Sequence, residues 1–268
     1  MSEKKLGFIG CGNMAGAILD GILASGILKP SDIVVFDISE KVKEEVIKKG
    51  VEVRDSIVDL CSISEKVLLG IKPNTTKNVL NEAGKTLEGK AILSIVAGIS
   101  SDTLQEWAGV NVRVLRIMPN TPAMVGAGAT VLCSDTSFTE EEKVEAEKIF
   151  NSIGIVEWVP EKLIDTVTGL SGGGPAYAAM FIEALADGAV LDGLSRPTAY
   201  RLAAQTVLGT AKMILDTGMH PGALKDMVCS PGGTTIEGVK ALEDGGFRSA
   251  VIQSILDSSS KSRKLGKE

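Results

Sequence analysis

The chain has 268 residues, 44% hydrophobic and 23% charged, with a formal net charge of -6, a length and composition suited to one large globular domain or two. The acidic balance, with no Lys/Arg block beyond the weak SKSRKLGK tail, argues against a nucleic-acid partner. Four scattered cysteines without CxxC spacing and a single histidine supply neither a disulfide framework nor zinc ligands, and no stretch is apolar enough for a signal peptide or a membrane span, so the expected setting is a reducing cytoplasm, without metal or membrane.

The first element is LGFIGCGNMAGA, Leu6 to Ala17. An apolar run ends at Ile9, Gly10-Cys11-Gly12 makes a tight turn, and residues 13–27 have helical apolar spacing. Strand, glycine turn and helix in that order suit a dinucleotide. Gly10 permits the turn, Gly12 leaves room for a pyrophosphate, and Ala15 lets helix and strand pack closely. The N–H groups at the helix start face the phosphates. Packing alone also produces such turns, so it is the strand-to-helix context that gives the motif weight.

Residues 32–36 form a second strand ending at Asp37, an acid placed to accept from a ribose 2′-OH. The alternation of a doubly wound sheet then continues. Helices are expected at 39–49 (Ser39 as cap, Gly50 as stop), 55–63, 75–87 and 102–108, and strands at 51–54, 66–71, 91–97, 112–118 and 129–133. Thr139 and Glu142 have capping-box spacing and open a helix to about Ile153, and 155–159 is a last strand.

Beyond about residue 163 the strands stop. Residues 161–170, 175–191, 197–217, 221–228, 234–243 and 247–265 read as helices, several with proline at the first position. The shift divides the chain into a dinucleotide-binding domain, 1–163, and a helical domain, 164–268, for substrate and dimerisation. AYAAMFIEALADGAVLDG and RLAAQTVLGTAKMIL carry more small and apolar residues than one amphipathic face needs. They fit helix packing in a dimer; packing on the first domain is the alternative.

Candidate chemistry gathers in loops at strand ends and helix starts. Lys72, before Pro73, either meets cofactor oxygens or is a solvated lysine at a helix start. Met118-Pro119-Asn120-Thr121-Pro122-Ala123 is a fixed irregular loop, either a ligand loop whose Asn and Thr turn polar groups toward the nicotinamide side or a structural turn. Ser171-Gly172-Gly173-Gly174-Pro175 and Ser230-Pro231-Gly232-Gly233-Thr234-Thr235 open helices with hydroxyls and bare N–H groups, an arrangement suited to a small carboxylate. His220 reads as a helix-start residue rather than as an acid.

In order and nearly end to end, FIGCGNMAGAI, GIKPN, SIVAGI, RIMPNTPA, DTVTGLSGGGPAY, HPGALKDMVCSPGGTTIEG and GGFRSAV resemble the pyrroline-5-carboxylate reductase family. The resemblance implies reduction of a small cyclic imine, 1-pyrroline-5-carboxylate, to L-proline with NADPH or NADH. It also implies a Rossmann-type domain followed by an all-helical domain that interleaves with a second subunit, as a homodimer or a higher homo-oligomer. The family's cofactor loop falls on Ile9, Gly10, Cys11, Gly12, Asn13 and Met14, its strand-end contacts on Ile71, Lys72 and Ala97, and its acidic substrate residue on Glu161. Its substrate loop falls on Ser230, Gly232, Gly233, Thr234 and Thr235, with Ser230 and Thr235 orienting the ring and its carboxylate for catalysis. Gly173 departs from the family's SGSGPAY, which removes a hydroxyl and leaves the N–H. Asp37 stands where members that prefer NADPH lack an acid, so NADH should be used well. A protonated imine already carries its charge and yields a neutral amine, so positioning, worth up to ~7–11 kcal/mol, outweighs acid–base catalysis. A β-hydroxyacid dehydrogenase shares the plan but needs a lysine on the helix after the second-domain glycine loop, where GPAYAA supplies none.

Overall fold

The computed structural model describes residues 4–265. Eight strands form one sheet: β1 (Lys4–Ile9), β2 (Ile33–Phe36), β3 (Glu52–Val53), β4 (Ser64–Leu69), β5 (Ala91–Ser94), β6 (Arg113–Met118), β7 (Gly128–Cys133) and β8 (Gly154–Val159). Their order is β3-β2-β1-β4-β5-β6-β7-β8, parallel throughout except where β7 runs against β6. The chain reverses direction of travel across the sheet at β1, which pairs with β2 on one side and β4 on the other. Ile9 lies level with Phe36 and with Leu69, so three strand ends share one edge at the switch point.

Helices α1 (Asn13–Ser25), α2 (Glu40–Lys48), α3 (Ile57–Ile63), α4 (Pro73–Ala83), α5 (Ser101–Ala108) and α6 (Glu140–Asn151) cover the sheet. Alternation along β1 sorts its side chains into two cores. Leu6 and Phe8 pack with Ile18, Ile22 and Phe150, whereas Ile9 packs with Leu80 and Leu104. No helix among the described residues is long and apolar enough to cross a membrane.

Several boundaries differ from the sequence reading for local reasons. The helix expected at 75–87 ends at Ala83, because Gly84 takes φ +50° and starts a 3-10 turn, Gly84–Leu87. The first helix stops at Ser25, closed by left-handed Gly26. β4 and β5 end at Leu69 and Ser94, which leaves 70–72 and 95–98 as loops on the ligand edge. Residues 161–170 are not one helix. They form a 3-10 turn (Glu161–Leu163), α7 (Ile164–Val167) and a π turn (Thr168–Gly172).

The chain forms two compact units. The first runs to Gly172 and takes the chain back from Ser258, and the second is Gly173–Asp257. The division falls later than residue 163 because α7 belongs to the sheet: Ile164 is buried with Val131 and Cys133 of β7, and Ser262 Oγ donates to Asp165 at 2.6 Å. The second unit carries α8 (Gly174–Leu191), α9 (Arg196–Thr217), α10 (Pro221–Val228), α11 (Thr234–Asp244) and the greater part of α12 (Phe247–Leu265). Its buried cluster is only Ala186, Ala199 and Ala203, with Ile182, Ala189 and Val190 packed against it.

Candidate active site

At the switch point Gly10 takes φ +83°, and a Cβ there would stand 2.7 Å from the carbonyl of Gly70. Glycine at this position is therefore required twice, by conformation and by space. Gly10 N donates to Phe36 O at 2.8 Å and Gly70 N to Ile9 O at 2.9 Å, which pins the turn between β2 and β4. Gly12 is the opposite case: a Cβ built on it meets no protein atom within 4 Å. The first turn of α1 has no side-chain cap and no acidic residue, so its N–H groups face outward unspent. An open glycine before free helix-start donors fits the pyrophosphate of a nicotinamide dinucleotide.

Asp37 closes this loop. Its Oδ2 accepts from Cys11 N at 2.7 Å and its Oδ1 from Ser39 N at 2.8 Å, so the half-buried carboxylate binds the glycine turn to the end of β2. Cys11 is buried, and burial pushes its thiol up to about 12, against the pull of Lys49. It stays a neutral packing group. Asn13 is exposed and Met14 half-buried at the start of α1.

Farther along the edge, Ile71 is half-buried and Lys72 and Ala97 are exposed. Lys72 is the N-cap residue of α4, its carbonyl accepting from the Thr75 and Thr76 hydroxyls at 2.9 and 3.1 Å. Asn120, at the end of β6, is structurally committed on both sides: Oδ1 accepts from Ala129 N at 2.8 Å and Nδ2 donates to Ser171 O at 3.0 Å. Of the two readings open for this loop, the Asn120 side chain follows the structural one. Glu161 Oε1 accepts from Ser101 N at 3.0 Å and from Arg116 Nη1 at 2.9 Å, which ties the 3-10 turn to α5 and β6.

In the second unit, Ser230 to Thr235 is an exposed loop running into α11. The N-cap is Gly233, without a side-chain bond, and among the described residues the hydroxyls of Ser230, Thr234 and Thr235 have no protein partner. A Cβ on Gly233 would run into Ser230 Oγ, so glycine there makes room for the serine hydroxyl. His220 is the N-cap of α10, its Nδ1 accepting from Gly222 N at 3.1 Å.

The structure thus brings Ile9 to Met14, Asp37 and Ile71 to one sheet edge of the first unit, with Glu161 also in that unit, and places Ser230 to Thr235 in the second. Sequence reasoning places Gly70 at a strand end on the ligand edge and gives it no role of its own. Its Cβ would lie 2.7 Å from both Ala15 Cβ and Gly10 O, so it is as necessary to the turn as Gly10. The signal was the glycine at the strand end in GIKPN.

Comparison with known proteins gives a consistent result. Residues 161–265 match the model described as pyrroline-5-carboxylate reductase dimerisation, and residues 5–98 the one described as NADP oxidoreductase coenzyme F420-dependent. The chain is 46% identical over 267 residues to the pyrroline-5-carboxylate reductase of Escherichia coli (strain K12), covering 99% of each. It is 43% identical to that of Methanosarcina acetivorans, covering 100% of both. Among solved structures, the Plasmodium falciparum pyrroline carboxylate reductase with NADP bound superposes with a TM-score of 0.87 at 33% identity, covering 99% of each chain.

Proposed function

The chain belongs to the pyrroline-5-carboxylate reductase family, and on that premise we propose how its own residues carry out the reaction. It reduces 1-pyrroline-5-carboxylate to L-proline, the final step of proline biosynthesis, with hydride supplied by NADPH or NADH. The glycine turn and the first N–H groups of α1 hold the pyrophosphate, and Asp37 lies on the adenosine side. Ile71, Lys72 and Ala97 line the edge toward the nicotinamide.

The substrate assignment rests on the unspent donors at residues 230–235. The backbone N–H groups of Thr234 and Thr235 begin α11 and have no intrahelical acceptor, and the Ser230 and Thr235 hydroxyls stand free beside them. A carboxylate received there meets a helix start and charge-assisted hydrogen bonds. Gly232, with φ +67°, and Gly233 shape the loop so that it approaches the anion without Cβ atoms. Glu161 enters as a brace whose Oε1 is spent on Ser101 N and Arg116. The imine needs orientation more than a proton donor, in keeping with a chain whose one histidine caps a helix. Three of the four unpaired cysteines are buried, which fits the reducing cytoplasm proposed as its location.

Oxidation of NADPH or NADH in the presence of 1-pyrroline-5-carboxylate tests the activity, and Thr235→Ala tests the site. Loss of one hydrogen bond to a charged group, ~1.5–3 kcal/mol, should lower kcat/KM for the imine roughly ten- to a hundredfold. Cofactor affinity should hold. A variant that melts earlier but turns over normally would show the loop to be a helix start and nothing more.

A further inference from the structure

At the end of β6, Met118 packs near Gly172 and the Asn120 side chain hydrogen-bonds to the turn that leads into the second unit. Asn120 is 9% exposed, and its orientation is fixed by its neighbours: the Ala129 N–H can meet only the side-chain oxygen, so the NH2 group must face Ser171 O. Ser171 lies in the π turn Thr168–Gly172, a rare conformation that is frequent at functional sites. Were the helix to continue in the ordinary α pattern, the Ser171 carbonyl would accept from the N–H of residue 175. Residue 175 is proline, which has none. The Thr168 and Ser171 hydroxyls fold back onto Ile164 O and Val167 O at 2.9 and 3.3 Å, so neither replaces the missing donor.

We propose that Asn120 is a positioning residue for the reaction: its side-chain amide takes the place of the N–H that Pro175 lacks and holds the Thr168–Gly172 turn to the end of β6. The inference rests on the reading of the reaction given above. With Asp37 on the adenosine side at β2, the nicotinamide half of the cofactor lies over the other side of the switch point, toward β4, β5 and β6. The turn that Asn120 holds therefore borders the reacting end of the site. Displacing it by an ångström disturbs the nicotinamide end of the site without weakening the pyrophosphate site.

A double-mutant cycle tests this. Asn120→Asp keeps an acceptor for Ala129 N and replaces the donor to Ser171 O by a carboxylate oxygen that repels that carbonyl. It should lower kcat/KM for the imine at least tenfold, chiefly in kcat, with cofactor Kd within twofold of the parent. Pro175→Ala restores an N–H at the position where the helix would supply it, so in that background the same substitution should cost less than threefold. Equal costs in the two backgrounds, or an Asn120→Asp enzyme within twofold of the parent, would overturn the proposal. If Asn120→Asp alone fails to fold, the double variant should fold and turn over; a double variant that is equally unfolded also overturns it. Failure of the parent chain to oxidise NADPH or NADH with the imine would instead sink the reading of the reaction.

Discussion

Both oxygens of the Asp37 carboxylate accept backbone N–H groups, from Cys11 and Ser39, at 2.7 and 2.8 Å. A carboxylate has further lone pairs, so it can hold the glycine turn and still accept from a ribose 2′-OH, while its charge repels a 2′-phosphate. Nearby lysines offer little relief to that phosphate. Lys43 is paired with Glu40 at 2.9 Å, and Lys41 is left as an exposed charge 4.0 Å from Glu45. Asp37→Ser should therefore lower kcat/KM with NADH and shift the NADH-to-NADPH ratio at least tenfold toward NADPH, a difference of about 1.4 kcal/mol. Steady-state rates with both cofactors measure it. An equal fall with each, at constant ratio, would mean that Asp37 serves the turn alone.

Helix α6 shows how an element writes its own boundary. Thr139 Oγ1 accepts from Glu142 N at 3.3 Å and Glu142 Oε2 from Thr139 N at 3.0 Å, a complete capping box. Glu142 also receives Arg113 Nη2 at 2.7 Å. Thr139→Ala should cost ~1 kcal/mol and lower Tm by about 2–4 °C in a chain of this size. Burial pushes the Glu142 carboxyl up, but the Arg113 and Thr139 hydrogen bonds outweigh it and hold the group below the usual glutamate range. Its stabilisation is thus complete above the unfolded value of about 4.3 and is lost as pH falls through the lowered folded value. Denaturant titrations should show Glu142→Gln losing stability at pH 7 and progressively less as pH falls below about 4.3. Such start and stop chemistry is what made the elements legible: α10 and α12 match their expected spans, each following a proline or glycine signal. The break at Gly84 hinged on one backbone torsion, and α7 on burial under β7, neither of which has a local signature. The same split runs through the site. Gly10, Gly12 and Asp37 are visible by spacing, whereas Gly70 and Asn120 matter through atoms far along the chain, Gly10 O and Ser171 O.

At the scale of the molecule, the two units differ in how far each satisfies itself. The sheet unit buries two large aliphatic cores, whereas residues 173–257 bury three alanines together and Leu224. Meanwhile Leu191 is 92% exposed, Met180 69% and Leu215 68%, and Leu202, Leu208, Ile252 and Leu256 also face outward. A helical unit with so little interior needs its apolar faces covered to be stable. The region is the one matched by the dimerisation model; we propose that the cover is a second copy of this chain, with α8, α9, α11 and α12 forming a symmetric interface that uses the same surface patch on both copies. Light scattering at micromolar concentration should give at least twice the chain mass of 28.0 kDa. Leu208→Asp places a charge in that interface and should lower both the mass and, because the helical unit loses its cover, Tm. Specific activity of the parent should fall on dilution along with the mass. A parent that is monomeric at micromolar concentration and fully active would leave these apolar faces without their partner and remove the interface from the account.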